Sequence, residues 1–359
     1  PYYAEAHANL GNILWEFSRS EDADLSTLQD AELSTRKAIE IKPDFAMAYS
    51  NLGNIYLELG KLQDAELSYR EAIKLKPDLA EPNHNLSYIL LKEKRFKEGF
   101  NKYEWRWKIR KKRFTNIPEW TPDKKGSVLL WPEQGIGDDI LFASMIPELV
   151  KVVNKLIVRT DKRLIPLFKR SFEKQIIYTI KTEKKLQEEF DYQIPMGSLP
   201  KIFRPSIESF KKAPQKLLKA DEVKTQIYRK ILIANNHKKI VGISWKTTNK
   251  KYAKNAIQLE ELLTGIYSPN ICFVNLQYGD VQEEIYNAKR KYGFEVFEIE
   301  ELDIFNDIDG LASLINACDE IITIDNITAQ LAGALGVSTK VILHTNSYWP
   351  HGIDDKYAL

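Results

Sequence analysis

A stack of helical hairpins followed by two α/β lobes is the fold class that this sequence predicts, and three observations predict it. The N-terminal third repeats itself at a spacing of 34 residues. Near Ser127 the apolar pattern changes from helical periodicity to short apolar runs alternating with helical stretches. Those runs form two series, separated by a charged stretch over residues 211–239.

The repeat is visible residue by residue. Asn51-Leu52-Gly53-Asn54 copies Asn9-Leu10-Gly11-Asn12, and Asp64-Ala65-Glu66-Leu67-Ser68 copies Asp30-Ala31-Glu32-Leu33-Ser34. Ala38 and Ala72 lie one period apart, as do Pro43 and Pro77. The logic is steric: small residues such as Gly53 and Ala65 let two antiparallel helices approach, large residues fill the space between them, and proline ends the second helix. Tyr49, Leu52, Gly53, Tyr56, Ala65, Tyr69, Ala72 and Pro77 together resemble the tetratricopeptide repeat (TPR). Eight residues are inserted in the first repeat, at 20–27, and are expected to loop out while Ala31, Ala38 and Pro43 keep the register. A weaker third copy runs from Ala80 to about Trp107, with Ser87 and Gly99 at the small positions. Stacked hairpins form a concave surface suited to a peptide; the alternative is a spacer or packing partner for the next domain.

A chain of 359 residues has room for two to three domains. Its 43% hydrophobic and 28% charged residues are those of a globular protein. No apolar run approaches the roughly 20 residues a membrane-spanning helix needs. Pro1-Tyr2-Tyr3 leads straight into a helical pattern without signal-peptide features, so that the chain is expected to begin inside a repeat. Cys272 and Cys318 lack metal-ligand spacing and read as reduced thiols, which points to a cytoplasmic location and to no metal site. A net charge of +2 favours no class of partner. The aromatic and basic stretch from Trp105 to Arg113 reads as a capping helix with solvated lysines rather than a nucleic-acid surface. Prolines 118 and 122, on either side of Trp120, mark an extended linker.

In the first series, strands are expected at 128–131, 156–159 and 176–179, with an apolar helix over about 139–153. The second series predicts strands at 240–245, 271–277, 320–325 and 340–343. Strands alternating with helices give parallel sheets covered by helices, and ligands gather beyond the carboxyl ends of such strands. Three loops sit there: 132–138, 245–255 and 325–330. The first holds Gly135-Ile136-Gly137-Asp138 but has Ile140 where a dinucleotide fingerprint needs glycine, which disfavours an NAD enzyme. Asp138 either caps the following helix or acts as a general base. The last loop, Asp325-Asn326-Ile327-Thr328-Ala329-Gln330, follows a strand and opens a helix of small residues, a terminus suited to phosphate.

Taken in order, five stretches resemble the heptosyltransferase family of glycosyltransferases, in the form joined to TPR repeats. They are Glu133 to Asp138 with Phe142 and Pro147, Tyr192 to Pro200, Val241 to Lys246, Phe273 to Gln277, and Asp325 to Gly336. The resemblance covers about residues 126–350. It implies a GT-B fold, with acceptor on the first lobe and a nucleotide-diphosphate sugar on the second. It also implies hexosyl or heptosyl transfer with inversion at the anomeric carbon and no metal or other cofactor. By matching position Asp138 would be the catalytic base, and Lys246 would hold the diphosphate. Gln277 would lie near the nucleotide, and the turn with Asp325, Asn326, Thr328 and Gln330 would cradle phosphate. The partition expected is 1–112 for the repeats, 113–125 for the linker, 126–235 for the first lobe and 236–359 for the second. Three positions depart from the family pattern. Asn326 and Gln330 replace a threonine and a histidine, and Ser144 replaces an arginine. The sequence reaches Leu359 soon after Tyr348-Trp349-Pro350, so the second lobe is expected to be minimal or incomplete. Two functions stay open: a transferase whose repeats present a protein or glycan acceptor, and a non-catalytic TPR scaffold with a degenerate transferase-like domain.

Overall fold

The computed structural model describes residues 3–19, 25–181, 190–234, 239–247, 256–343 and 349–351. The chain divides into two compact units: residues 1–113 with 204–210 and 345–359, and residues 114–203 with 211–344.

In the helical unit, α1 (Ala4–Phe17) pairs with α2 (Leu25–Ile41), α3 (Ala46–Glu58) with α4 (Leu62–Leu75), and α5 (Ala80–Lys92) with α6 (Phe96–Tyr103); one turn, α7 (Arg106–Ile109), follows. The small residues do the work expected of them. A methyl group on Gly53 would meet the Tyr69 ring at 2.5 Å, and one on Gly11 would collide with Thr35. The first hairpin thus keeps its register although Gly11 and Ala31 are eight residues further apart than Gly53 and Ala65. Residues 20–24 of that insert lie outside the described residues. Successive hairpins are also joined by a repeated ion pair, Glu32 to Lys61 at 3.2 Å and Glu66 to Arg95 at 2.7 Å. Beyond α6, Arg106 is buried against the rings of Tyr103 and Trp107, whereas Arg110, Lys111 and Arg113 are exposed. The last hairpin is closed by aromatic residues from distant parts of the chain. Phe210 packs on Phe96 with ring centres 4.6 Å apart, and Trp349 meets Phe100 edge-on at 5.5 Å.

The second unit contains two separate parallel sheets. The first lobe runs β1 (Ser127–Trp131), α8 (Ile136–Ala143), α9 (Ile146–Leu149), β2 (Lys155–Arg159), α10 (Ile165–Ser171), β3 (Ile177–Thr179), β4 (Tyr192–Pro195) and α11 (Leu199–Phe203). Its strands lie in the order β3-β2-β1-β4. The helix expected as one piece over 139–153 starts at Ile136 and breaks before Pro147, whose ring cannot follow the carbonyl four residues back. The expected linker is not free: Trp120 N donates to Gln193 O at 2.9 Å and Gln193 N to Pro118 O at 3.0 Å, which adds residues 118–120 to the edge of β4.

After α12 (Ile207–Lys211), the second lobe runs α13 (Glu222–Ile233), β5 (Lys239–Ser244), α14 (Leu259–Ile266), β6 (Ile271–Asn275), α15 (Gln282–Tyr292), β7 (Val296–Phe297), α16 (Ile308–Ala317), β8 (Glu320–Ile324), α17 (Ile327–Leu335) and β9 (Thr339–Ile342). Its strands lie in the order β7-β6-β5-β8-β9. Helix α13, expected with the first lobe, packs on α16 of the second, with Thr225 Oγ1 donating to Ser313 O at 3.3 Å. Residues 204–210 and 345–359, expected in the lobes, cluster with the repeats instead.

The lobes meet along three lines. Helix α8 packs on α17, Arg170 of α10 pairs with Asp309 of α16, and Arg163 Nη1 donates to Phe305 O at 3.0 Å.

Candidate active site

Each sheet reverses its strand order once, between β1 and β4 in the first lobe and between β5 and β8 in the second. Helices on the two sides of such a reversal diverge to opposite faces of the sheet, which opens a crevice at the carboxyl ends of the strands. The loops after β1, β5 and β8, singled out in the sequence, all start at these points.

In the first lobe, the loop after β1 is pinned across the reversal by Glu133, whose Oε1 accepts from Gly197 N at 2.9 Å. Chain direction then changes at Gly135, and α8 begins. Asp138 lies in its first turn, half-buried, with Oδ2 accepting from Gly135 N at a long 3.4 Å. That is a capping contact, but a weak one by geometry. Asp139 beside it is 4% exposed, and Thr160 Oγ1, just beyond β2, donates to its Oδ2 at 3.4 Å. Burial first, then the negative charge of Asp138, pushes the Asp139 carboxyl up to about 8.

In the second lobe three strand ends are laced together by side chains. Gln277, 1% exposed, accepts at Oε1 from Ser244 Oγ at 3.0 Å, Trp245 N at 2.9 Å and Lys246 N at 2.8 Å, and donates from Nε2 to Tyr278 O at 2.9 Å. Its amide is therefore turned to the protein, and it fixes the path of the chain leaving β5. Asn326 continues the network by donating to Ser244 Oγ at 2.8 Å, and it caps α17 by accepting from Thr328 N at 2.9 Å. The N–H groups of Ala329 and Gln330 bond back to the Asn326 carbonyl oxygen. Thr328 is wholly buried, and its Oγ1 finds no partner among the described residues. Asp325 stays half-buried at the end of β8.

Lys246 Nζ is held by the Glu284 carboxylate and by Asp280 O at 3.2 Å, while Glu284 Oε2 also accepts from Trp245 Nε1 at 2.6 Å. Neither Glu284 nor Asp139 was singled out in the sequence. Glu284 is one of two adjacent acids on an amphipathic helix, and nothing in its spacing marks it. Of the remaining loop 245–255, residues 248–255 lie outside the described residues. So does Tyr348.

Across the crevice the two lobes touch at one of the predicted positions. A methyl group on Gly137, the neighbour of Asp138, would lie 3.6 Å from Gln330 Cγ in α17. The structure thus brings Lys246, Gln277 and Asn326 into one network and sets Gln330 against the turn that carries Asp138. Beside this network a cavity of about 200 Å³ opens at the ends of β6 and β7, lined by Gln277, Gln282, Glu298, Phe305 and Leu314 among others. Glu298 Oε1 accepts there from Asn275 Nδ2 at 2.8 Å. A larger open depression of about 520 Å³ lies between α13 and the end of α16, near Arg229 and Asp319. It sits at the amino end of β8, away from the loops that carry the chemistry.

A helical-repeat protein carrying a two-lobed, all-parallel α/β domain is the class that fold and site define. Residues 46–79 match the tetratricopeptide repeat family. Protein FlbA of Caulobacter vibrioides is 31% identical over 238 residues, which cover 62% of this chain and 40% of FlbA. The chain therefore spans well under half the length of that curated relative. Among solved structures, a glycosyl transferase family 9 protein from Veillonella parvula aligns with a TM-score of 0.42 and 10% identity, over 61% of this chain and 86% of that one. The heptosyltransferase WaaC of E. coli, solved with ADP-2-deoxy-2-fluoro heptose, aligns with a TM-score of 0.36 and 12% identity, over 60% and 88%.

Proposed function

We propose that this protein is an inverting, metal-independent glycosyltransferase that uses a nucleotide-diphosphate sugar, with repeats that hold a protein or glycan acceptor in the cytoplasm. The observation that supports this most is the meeting of two switch-point turns from different sheets, Gly137 beside Asp138 and Gln330 in α17. In this reading Asp138 takes the proton from an acceptor hydroxyl as its oxygen attacks the anomeric carbon. The bond from that carbon to the diphosphate breaks, and the nucleoside diphosphate leaves with the electron pair. Lys246, freed from Glu284, and the amino end of α17 would offset the charge that builds on the leaving group. Gln277 and Asn326 act by fixing the backbone that carries Lys246, and the cavity by Glu298 has polar and apolar walls suited to a nucleoside.

A second reading, a non-catalytic scaffold, is favoured by one feature: Lys246 is already paired with Glu284. Calorimetric titration with a panel of nucleoside diphosphates and their sugars separates the two. Binding followed by transfer or slow hydrolysis supports the enzyme. Binding without turnover for any acceptor supports the scaffold, and no binding at all removes the nucleotide-sugar reading.

A further inference from the structure

Asp138 and Asp139 are consecutive residues in the first turn of α8, and their surroundings differ. Asp138 is half-buried and held at 3.4 Å by a backbone N–H. Asp139 is almost wholly enclosed, and its one hydrogen-bonding contact among the described side chains is Thr160 Oγ1. Enclosure favours the neutral form of the Asp139 carboxyl first, and the negative charge of Asp138 adds to that.

We propose that Asp139 is the positioning residue of Asp138: enclosed in the first turn of α8 and anchored beyond β2 through Thr160, it fixes the turn that carries Asp138. The charged and titratable groups around it are few. Asp138 lies on its own helix; Arg159 and Asp161 flank Thr160 beyond β2. Arg159 Nε is directed to Lys181 O at 3.1 Å, and Asp161 is held by the guanidinium of Arg163 at 3.0 Å, while burial outweighs the charge of Arg159 at Asp139. The anchoring has a mechanical side as well. A neutral carboxyl can stay buried without a counter-ion, so α8 can begin against the sheet and carry Asp138 at a fixed height above β1. The base role of Asp138 rests on the transferase reading; the enclosure of Asp139 and its bond to Thr160 do not.

The test is a carboxyl carbon NMR titration of the full chain labelled at aspartate, from pH 5 to 9, with Asp139→Asn, Asp138→Asn and Thr160→Val. The wild type is expected to show one aspartate inflection near pH 8, missing in Asp139→Asn. The inflection should move down in Asp138→Asn, because a neighbouring negative charge is gone. In Thr160→Val it should move up, because the hydroxyl favours the ionised form. An inflection near pH 8 that persists in Asp139→Asn, or stays fixed in Asp138→Asn, overturns the proposal. Where turnover is measurable, the kcat profile should carry the same inflection in the wild type and lose it in Asp139→Asn. If no variant and no wild type turns over, the transferase reading fails, and the titration still decides the proposal.

Discussion

Asp139 also links the site to stability. Its folded-state pKa is raised above that of an unfolded chain, because burial disfavours the charged form. The folded state therefore holds a proton that the unfolded state has released. This contribution is full below the usual carboxylate range, declines as pH rises, and is gone above about 8. The wild-type melting temperature is expected to fall between pH 5 and 8.5 more steeply than that of Asp139→Asn, which has no proton to lose. Parallel curves for the two proteins would contradict the burial argument. Gln277 supports a second prediction. Removing an amide that accepts three hydrogen bonds in the core leaves Trp245 N, Lys246 N and Ser244 Oγ without that acceptor. Gln277→Ala should cost about 2–3 kcal/mol in urea unfolding. Gln277→Glu keeps an oxygen in the accepting position but loses the Nε2 donor to Tyr278 O and buries a charge, so it is expected to destabilise the protein as well. At the site itself, Asp138→Asn should abolish turnover and spare nucleotide affinity, since a base acts on the acceptor. Lys246→Ala should weaken diphosphate binding, most at low salt where screening is least; equal loss at all salt concentrations would argue against direct contact. The positions of Asp138, Lys246 and Asn326 beyond strand ends were legible in the sequence, because each follows an apolar run that reads as a strand. The burial of Asp139 was not, since two adjacent acids look alike until one is enclosed.

Among the elements, the repeat helices were the most legible. Close helix packing demands particular sizes at particular positions, and those demands recur as Gly53, Ala65, Tyr69 and Pro77. The strength of the demand can be measured. In a free helix Gly→Ala gains about 1 kcal/mol, but at position 53 the added methyl would strike the buried Tyr69 ring, 2.5 Å away. Gly53→Ala is therefore expected to destabilise the protein by about 1–3 kcal/mol; a stabilised variant would show that the ring can swing aside. Strands β4 and β7 were harder to find. Tyr192–Pro195 ends in a proline and mixes polar with apolar residues, and a two-residue strand has no period at all. The register of β4 comes from pairing with β1 and from the edge contact with residues 118–120, which are long-range events that no local pattern encodes. Likewise α13 joins the second lobe although it precedes β5, because its place is set by packing on α16 and not by its own sequence.

Across the whole molecule, the two units are not consecutive stretches of chain. The helical unit takes its last covering residues, Phe210 and Trp349, from segments that lie after the first lobe and after the second. Trp349→Ala should lower unfolding stability by about 3–5 kcal/mol if the ring is integral to that unit. A change within a few tenths would mean that Phe210 alone suffices. The arrangement has a consequence in time. During synthesis the six paired helices emerge early, but Trp349 follows Tyr103 by about 250 residues. At ~5–20 residues per second, this leaves Phe96 and Phe100 short of their full cover for on the order of 10–50 s. The repeats can stack in that interval, but their final face closes only after both lobes have been made, so holdase chaperones have a defined window and a defined apolar surface to guard.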